Sequence, residues 1–161
     1  MTPRALLALL AAGLLLVAAG CGSEPTYRKD TLVSSLQEIL KSDGIAAQVR
    51  LLDHTLAIQF TGPQTLTQQG SQIVLGPKFD EFVRKVLIAT HRVVLSSDAD
   101  LQFYVILMAD PAIPGAYLTL VRYVDDIKRA NANMIDTPEI YSRTVFDLNV
   151  VGPKPVTLEQ Y

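Results

Sequence analysis

The sequence is poor in the residues that build disulfides, metal sites and catalytic relays. Among 161 residues there is one cysteine, Cys21, and there are two histidines, His54 and His91. A single cysteine excludes an intramolecular disulfide, even in an oxidising compartment. Neither a C-x-x-C pair nor an H-E-x-x-H motif occurs, so the sequence predicts no metal ion and no cofactor.

The sequence also lacks a large excess of charge of either sign. Fourteen Lys and Arg residues stand against sixteen Asp and Glu residues, which gives a net charge of −2. This balance, without any arginine-rich tract, argues against a nucleic-acid partner. The chain contains no G-x-S-x-G elbow and no glycine-rich phosphate loop, so no catalytic residue is predicted.

What the sequence does contain, at its N-terminus, is a targeting signal. One cation, Arg4, precedes an uncharged, mostly apolar run from Ala5 to Ala19. This is the layout of a secretory signal peptide. The run is shorter than the roughly 20 residues that cross a bilayer core. Residues 1–20 are therefore predicted to be a signal peptide.

The end of this run, Val17 to Cys21, resembles the lipobox of bacterial lipoproteins. The matching residues are the small Ala19 and Gly20 and the cysteine itself, whereas Ala18 stands where leucine is most usual. The resemblance covers residues 1–21 only and carries no information about the rest of the chain.

The resemblance implies cleavage between Gly20 and Cys21, diacylation of the Cys21 sulfur and acylation of the new amino group. The chain would then be anchored to a membrane, on its non-cytoplasmic side, by acyl chains that each bury many methylenes at about 0.8 kcal/mol apiece. Gly22, rather than the Asp of lipoproteins kept in the inner membrane, favours the outer membrane where there are two. The alternatives are a plain signal peptide with a coincidental cysteine, or an uncleaved anchor.

The rest of the chain divides into a tether, one domain and an extension. Residues 21–26 form the lipidated cysteine and a short tether, whose last five residues reach at most about 18 Å. Residues 27–150 have the length of a single domain. Residues 151–161, with their two prolines, are predicted to be a loose extension.

Apolar periodicity predicts the elements of the domain. A helical stripe runs through residues 32–40 and a longer one through residues 79–95, while residues 45–51 and 56–60 alternate as two strands of a hairpin. The apolar run 101–109 and its partner 116–123 are predicted strands, whereas 61–72 is predicted to be a long polar loop. Residues 73–75 are either a short strand or the lead-in to the next helix.

This order, α-β-β-α-β-β, predicts an α+β two-layer sandwich. Its antiparallel sheet would have about four strands, with helices on one face. A helical C-terminal tail would follow, with one helix over residues 124–134 and another that starts at residues 137–139 and runs through Val145.

Polar residues in the predicted turns have structural explanations. His54 lies in a hairpin turn, and His91 falls off the apolar stripe beside Arg92, which predicts a solvated position. Asp98 and Asp100 belong to a helix-to-strand turn, because the Gly and Glu of an EF-hand loop are missing.

Three other acidic residues, Asp110, Asp125 and Asp126, are candidates for catalysis but also have structural explanations. Asp110 precedes Pro111 at the end of a strand, where an Asp initiates a turn. Asp125 and Asp126 are adjacent at a helix start, so they diverge by about 100° and are explained by the helix dipole.

The remaining candidates belong to an interaction surface. The basic outer face of the second helix could meet anionic headgroups, or could simply be solvated. Tyr and Arg side chains in the C-terminal part are of the kind enriched at binding hot spots. The candidate residues are Lys78, Arg84, Lys85, Arg92, Tyr123, Arg129 and Tyr141.

The sequence therefore predicts a non-enzymatic, lipid-anchored protein of the bacterial envelope. Its role would be that of an accessory or scaffold protein that binds another envelope component. The alternative is a ligand-binding lipoprotein that holds a small molecule, a lipid or a glycan fragment in a groove between helices and sheet. A hydrolase that uses Asp110 or the two histidines is the third reading.

Overall fold

A computed structural model describes residues 25–63, 65–70 and 72–150. The predicted signal peptide, Cys21 and the extension 151–161 lie outside the described residues. In chain order, the elements are α1 (Leu32–Ser42), β1 (Ala47–Leu52), β2 (Thr55–Thr61), β3 (Leu66–Gln69), β4 (Gln72–Leu75), α2 (Phe79–Leu95), β5 (Phe103–Ala109), β6 (Ala116–Tyr123), α3 (Val124–Asn131), α4 (Thr137–Ser142) and β7 (Val145–Val150).

The predicted α+β class is confirmed, with a five-stranded sheet in the order β1-β2-β5-β6-β7 and a separate β3-β4 hairpin. One pairing differs from the predicted antiparallel sheet, because β2 and β5 run parallel. The reason is connectivity. Helix α2 carries the chain back along the sheet between the two strands, as a crossover between parallel strands requires.

The C-terminal tail is only partly helical, so the predicted helix through Val145 is wrong in its last part. Helix α4 ends at Ser142, and the chain then forms β7, which pairs antiparallel with β6 from Val121–Val145 to Ala116–Val150. Without β7, β6 would leave its backbone unpaired at the sheet edge. Pairing with β6 therefore outweighs the local helical pattern.

The polar segment after β2 also differs from its prediction as a loop. Residues 66–69 and 72–75 pair as the β3-β4 hairpin, from Leu66–Leu75 to Gln69–Gln72. Residues 73–75 are thus a strand, which was one of the two alternatives. The amide of Gly76 donates to the Thr65 carbonyl at 2.6 Å and closes the base of the hairpin.

Helices α1 and α2 cover one face of the sheet and form the core with it. The apolar stripe of α1, Leu32, Leu36 and Leu40, is fully buried. Alternate residues of the central strands point to the same side, as the pleat requires. The strand residues of this core are Val49, Leu56, Ile58, Phe60, Tyr104, Ile106, Met108, Leu118 and Leu120.

The sheet has two ends that differ in what they carry. At one end lie the turn after β1, the loop 96–102 and the start of α3, and here the first described residues join the domain. Tyr27 donates its amide to the Ser96 carbonyl at 3.1 Å and accepts from the Asp98 amide at 3.3 Å. We call this the tether end. The opposite, distal end carries the β3-β4 hairpin and the turn 110–115.

Candidate functional site

The sheet face opposite α1 and α2 is apolar over β5 but carries polar side chains on β1, and none of the described helices packs on it. Strand register arranges its side chains in rows. The row at the tether end joins Leu52, Thr55, Phe103 and Tyr123 across four strands. Leu52, Phe103 and Tyr123 are each about 40% exposed. We call this surface the open face, and these three side chains the tether-end row.

A shallow groove of about 600 Å³ runs over the open face from the tether end. Its floor contains Ala57 and Leu107, which are buried, with Val105 packed against them. The volume lies within the range of about 300–1,000 Å³ typical of ligand sites. The lining residues are Leu52, Asp53, His54, Thr55, Ala57, Gln102, Phe103, Val105, Leu107, Thr119 and Val121.

This groove is not where the sequence placed one. The prediction was a groove between helices and sheet, but that space is filled by the core side chains. The groove lies on the other side of the sheet, where β5 and β6 present apolar residues to solvent.

The second exposed apolar feature is strand β7. Within the described residues it pairs with β6 alone, so its outer edge is unpaired there. Val145, Phe146 and Val150 are between 47% and 60% exposed. The ring of Phe146 lies edge-on to that of Phe79, with the ring centres 6.0 Å apart. An exposed edge strand with apolar side chains is a template for pairing with another chain.

His91 corrects the prediction of a solvated side chain. Its Nε2 lies 2.8 Å from the hydroxyl of Tyr104, a fully buried residue of β5. Burial, with the nearby Arg122 guanidinium as the second cause, lowers the pKa of His91 from 6.5 to about 4. The apolar stripe of α2 did not predict this contact, because His91 lies outside the stripe and still reaches the sheet.

Burial also sets the proton positions in this pair. It raises the pKa of Tyr104 to about 12, against the opposing effect of the Arg122 charge. His91 is therefore neutral and Tyr104 protonated at pH 7, and the hydroxyl shares one hydrogen bond with Nε2 and accepts another from Arg122. Tyr104 has no exposed surface, so this network holds α2 to the sheet rather than meeting a substrate.

Arg122 continues the network towards α4. Its Nε donates to the Thr144 hydroxyl at 2.9 Å, and its guanidinium lies 5.8 Å from the centre of the Tyr141 ring. Tyr141, predicted as part of an interaction surface, is exposed on its outer side and covers Arg122 on its inner side. The contact between Tyr141 and Arg122 could not be predicted from the sequence, because the two residues belong to separate elements.

Asp126 forms the second charged centre of this region. It is buried, and its Oδ1 lies 3.4 Å from Arg143 and 3.7 Å from Arg129. Asp125 is exposed, so the two carboxylates diverge as predicted. Arg129 is therefore partly occupied by an internal ion pair.

Asp110 is a structural residue, in line with its prediction as a turn initiator. One carboxylate oxygen accepts from the Ala112 amide at 2.8 Å. The other accepts from the Leu66 amide at 2.7 Å and from the Thr65 hydroxyl at 3.0 Å. These bonds join the turn after β5 to the β3-β4 hairpin. The buried carboxylate thus accepts three hydrogen bonds from within the fold.

The other predicted polar positions lie where the sequence put them. His54 is exposed in the turn between β1 and β2, and its Nδ1 lies 3.2 Å from Asp100 in the loop before β5. Asp98 belongs to the same loop. In the described part of the chain, no group of three or more His, Cys, Asp or Glu side chains could hold a metal ion.

The predicted interaction residues do not form one surface. Lys78, Arg84, Lys85 and Arg92 are exposed along the full length of α2, with Lys85 paired to Glu81 at 3.0 Å. Tyr123 lies on the open face, across the sheet from that helix. Of the tether-end row, Tyr123 was among the predicted interaction residues, whereas Leu52 and Phe103 were not.

A signal for the open face was present in the sequence. Both sets of alternating positions in β5 are free of polar side chains other than the tyrosine hydroxyl, as in Phe103, Val105 and Leu107 against Tyr104 and Ile106. A strand with one solvated face should alternate with polar residues. An apolar second face instead indicates a contact with another molecule or another part of the chain.

None of the helices among the described residues is long and apolar enough to cross a membrane. Searches with the chain against protein-family models, curated proteins and solved structures find no match.

Proposed function

We propose that this chain is a lipid-anchored, non-enzymatic protein of the bacterial envelope that binds another envelope protein along strand β7. The anchor is Cys21, within the lipobox-like segment. The observation that carries the binding role is the outer edge of β7, where Val145, Phe146 and Val150 are exposed around an unpaired backbone in the described chain.

The partner that fits this edge is an extended protein segment with apolar side chains at alternate positions. Such a segment adds a strand to the sheet, with main-chain hydrogen bonds for affinity and side-chain contacts for specificity. The edge carries one charge, Asp147, and no proline or lysine of the kind that protects edge strands. Tyr141, at 65% exposure just before β7, extends the apolar surface.

The anchor supports the same role. A membrane-bound chain meets membrane-bound partners at a raised effective concentration, so a six-residue edge can serve in a stable assembly. Non-enzymatic function is supported by the buried polar groups, since Asp110, Tyr104 and Asp126 are all bonded within the fold.

The test is site-specific photo-crosslinking in intact cells. A benzophenone residue replaces Val145 in the full chain, and a matched chain carries it at Ile88, which is 61% exposed on α2. We expect one dominant protein adduct from position 145 that is absent from position 88. Equal adducts from both positions, or none from position 145, would contradict a partner at β7.

A charge at the edge supplies the second test. Val145→Lys should reduce co-purification of the adduct protein at least tenfold, because a lysine on an edge strand opposes pairing. Ile88→Lys is the matched control and should leave it unchanged. The full chain should incorporate a labelled acyl chain and the Cys21→Ala variant should not, and equal labelling of both chains would contradict an anchor at Cys21.

The groove on the open face favours one other function, the binding of an apolar small molecule or lipid. Its apolar floor and its polar rim at His54, Gln102 and Thr119 are features of a ligand site. Native mass spectrometry of the full chain, released from gentle detergent, tests this. A retained small molecule that Ala57→Phe abolishes would support ligand binding over a protein partner.

A further inference from the structure

Three large apolar side chains, Leu52, Phe103 and Tyr123, stand in one row at the tether end of the open face. Leu52 and Phe103 both flank Thr55 in the register, and Phe103 pairs with Tyr123. The rings of Phe103 and Tyr123 pack against each other at 5.3 Å, yet both residues remain about 40% exposed. None of the three belongs to the core cluster, whose strand residues lie on the other face of the sheet.

The chain that leads to Cys21 leaves the domain at the same end. Tyr27 is held by the backbone of Ser96 and Asp98, in the loop that precedes Phe103. Gln102 and Phe103 in turn donate their amides to the His54 carbonyl, beside Leu52. Five residues lie between Cys21 and Tyr27, so six Cα-to-Cα steps limit the anchor to about 21 Å from this end.

Geometry therefore brings this row close to the surface to which the chain is anchored. An aromatic pair with one polar hydroxyl is typical of the bilayer interface, where tyrosine places its ring among acyl chains and its hydroxyl among headgroups. Insertion of the row is intramolecular once the anchor is in place, so weak contacts suffice.

Charge around the row decides which lipid fits. The exposed charged residues at this end of the sheet and beside the row in the chain are five carboxylates and three cations. The acidic residues are Asp30, Asp53, Asp98, Asp100 and Asp125, and the basic ones are Arg28, Lys29 and Arg50, which lies two residues before Leu52 on the same face of β1. This excess of negative charge repels an anionic surface. The row therefore suits a zwitterionic bilayer.

We propose that the tether-end row inserts into the interfacial layer of a zwitterionic bilayer and seats the domain on the membrane with its strands pointing away from it. This inference rests on the lipid anchor of the proposed function. It also orients β7, whose Val150 end would face away from the membrane and towards a partner.

The chain contains no tryptophan, so one introduced tryptophan reports its own surroundings. Phe103→Trp places the probe in the row. Tyr117→Trp places it on the same face of β6, six residues and about 20 Å further from the tether end. Both full-length lipidated variants are purified in detergent and reconstituted into phosphatidylcholine vesicles whose acyl chains carry bromine, which quenches nearby tryptophan.

We expect at least threefold stronger quenching for Phe103→Trp than for Tyr117→Trp, with a blue-shifted emission for the first variant only. Replacing a third of the lipid with phosphatidylglycerol should weaken the quenching, and added salt should restore it. Tyr123→Trp provides a second probe in the row and should behave like Phe103→Trp.

Vesicle flotation separates the two proposals. Chains that float with the vesicles and show equal quenching at positions 103 and 117 would overturn the seat but leave the anchor intact. Chains that do not float would overturn the anchor and the seat together. Stronger quenching in anionic vesicles would overturn the assignment of a zwitterionic surface.

Discussion

The hydroxyl of Tyr104 and Nε2 of His91 share a hydrogen bond of 2.8 Å, which ties helix α2 to the centre of the sheet. It joins a fully buried tyrosine to a histidine whose pKa burial has lowered to about 4. Arg122 completes the group from β6. The free energy of unfolding at acid pH is therefore expected to depend on the protonation of the His91 imidazole.

His91→Gln should flatten the pH dependence of stability between pH 6.5 and 4. The folded pKa of His91, about 4, lies below the unfolded value of 6.5. The unfolded chain therefore binds the extra proton in this window, and the free energy of unfolding falls as the pH is lowered through it. The total effect is about 3 kcal/mol. Glutamine cannot titrate, but its amide can still form a hydrogen bond with the Tyr104 hydroxyl in either direction.

The measurement is the urea midpoint at pH 7 and at pH 4.5 for the wild type and the variant. Arg92→Gln, at the neighbouring exposed position, is the matched control because arginine does not titrate in this range. A wild-type pH response in His91→Gln would show that another group governs the acid limb.

Tyr104→Phe should destabilise the fold by about 1–3 kcal/mol, because it leaves partly buried His91 and buried Arg122 without the shared hydroxyl. The ring stays, so the apolar packing does not change. Tyr117→Phe removes a hydroxyl from a half-exposed site and should cost less than about 0.5 kcal/mol. Thermal unfolding of both variants checks this, and equal costs would argue against the network.

Asp110→Ala should loosen the β3-β4 hairpin more than the rest of the domain. It deprives the Leu66 amide and the Thr65 hydroxyl of their acceptor, at a cost of about 2–3 kcal/mol. Asp110→Asn retains one acceptor oxygen and should cost less. Hydrogen exchange measures the effect as lost protection of Leu66 and of β4, and uniform loss over all strands would contradict a local role.

Gly76→Ala should cost more stability than Gly62→Ala. A Cβ on Gly76 would lie 3.0 Å from the Thr65 carbonyl oxygen, which cannot retreat because it accepts the Gly76 amide. A Cβ on Gly62 meets the Met108 sulfur at the same distance, but a methionine chain can adjust. We expect about 1–3 kcal/mol for the first and less than about 1 kcal/mol for the second, by urea unfolding. The reverse order would show that Met108 is held more firmly than Thr65.

Elements with strong local periodicity could be predicted from the sequence. The stripe of α2 places its helix within one turn at each end, and the alternation of β1 and β2 defines their hairpin. These patterns depend on neighbouring residues alone, so no knowledge of distant contacts was needed.

The features that could not be predicted from the sequence all depend on contacts between residues that are far apart in the chain. Strand β7 is set by its pairing with β6, and the bond between His91 and Tyr104 by the closeness of α2 to β5. The tether-end row needs the register of four strands, which joins Leu52 to Tyr123 across 71 residues of chain. Single-sequence patterns do not contain such information.

The parallel pairing of β2 with β5 has a consequence for how the chain folds. Thr55 pairs with Phe103, 48 residues later, so the centre of the sheet closes a long loop and cannot form from local contacts. Folding should accordingly be slow for a domain of this size, because the entropy of loop closure is lost before the long-range contact can stabilise the chain. A chain that ends after α2 has no strand to complete its sheet and should stay unfolded, which keeps the early part of the chain extended until β5 has been made.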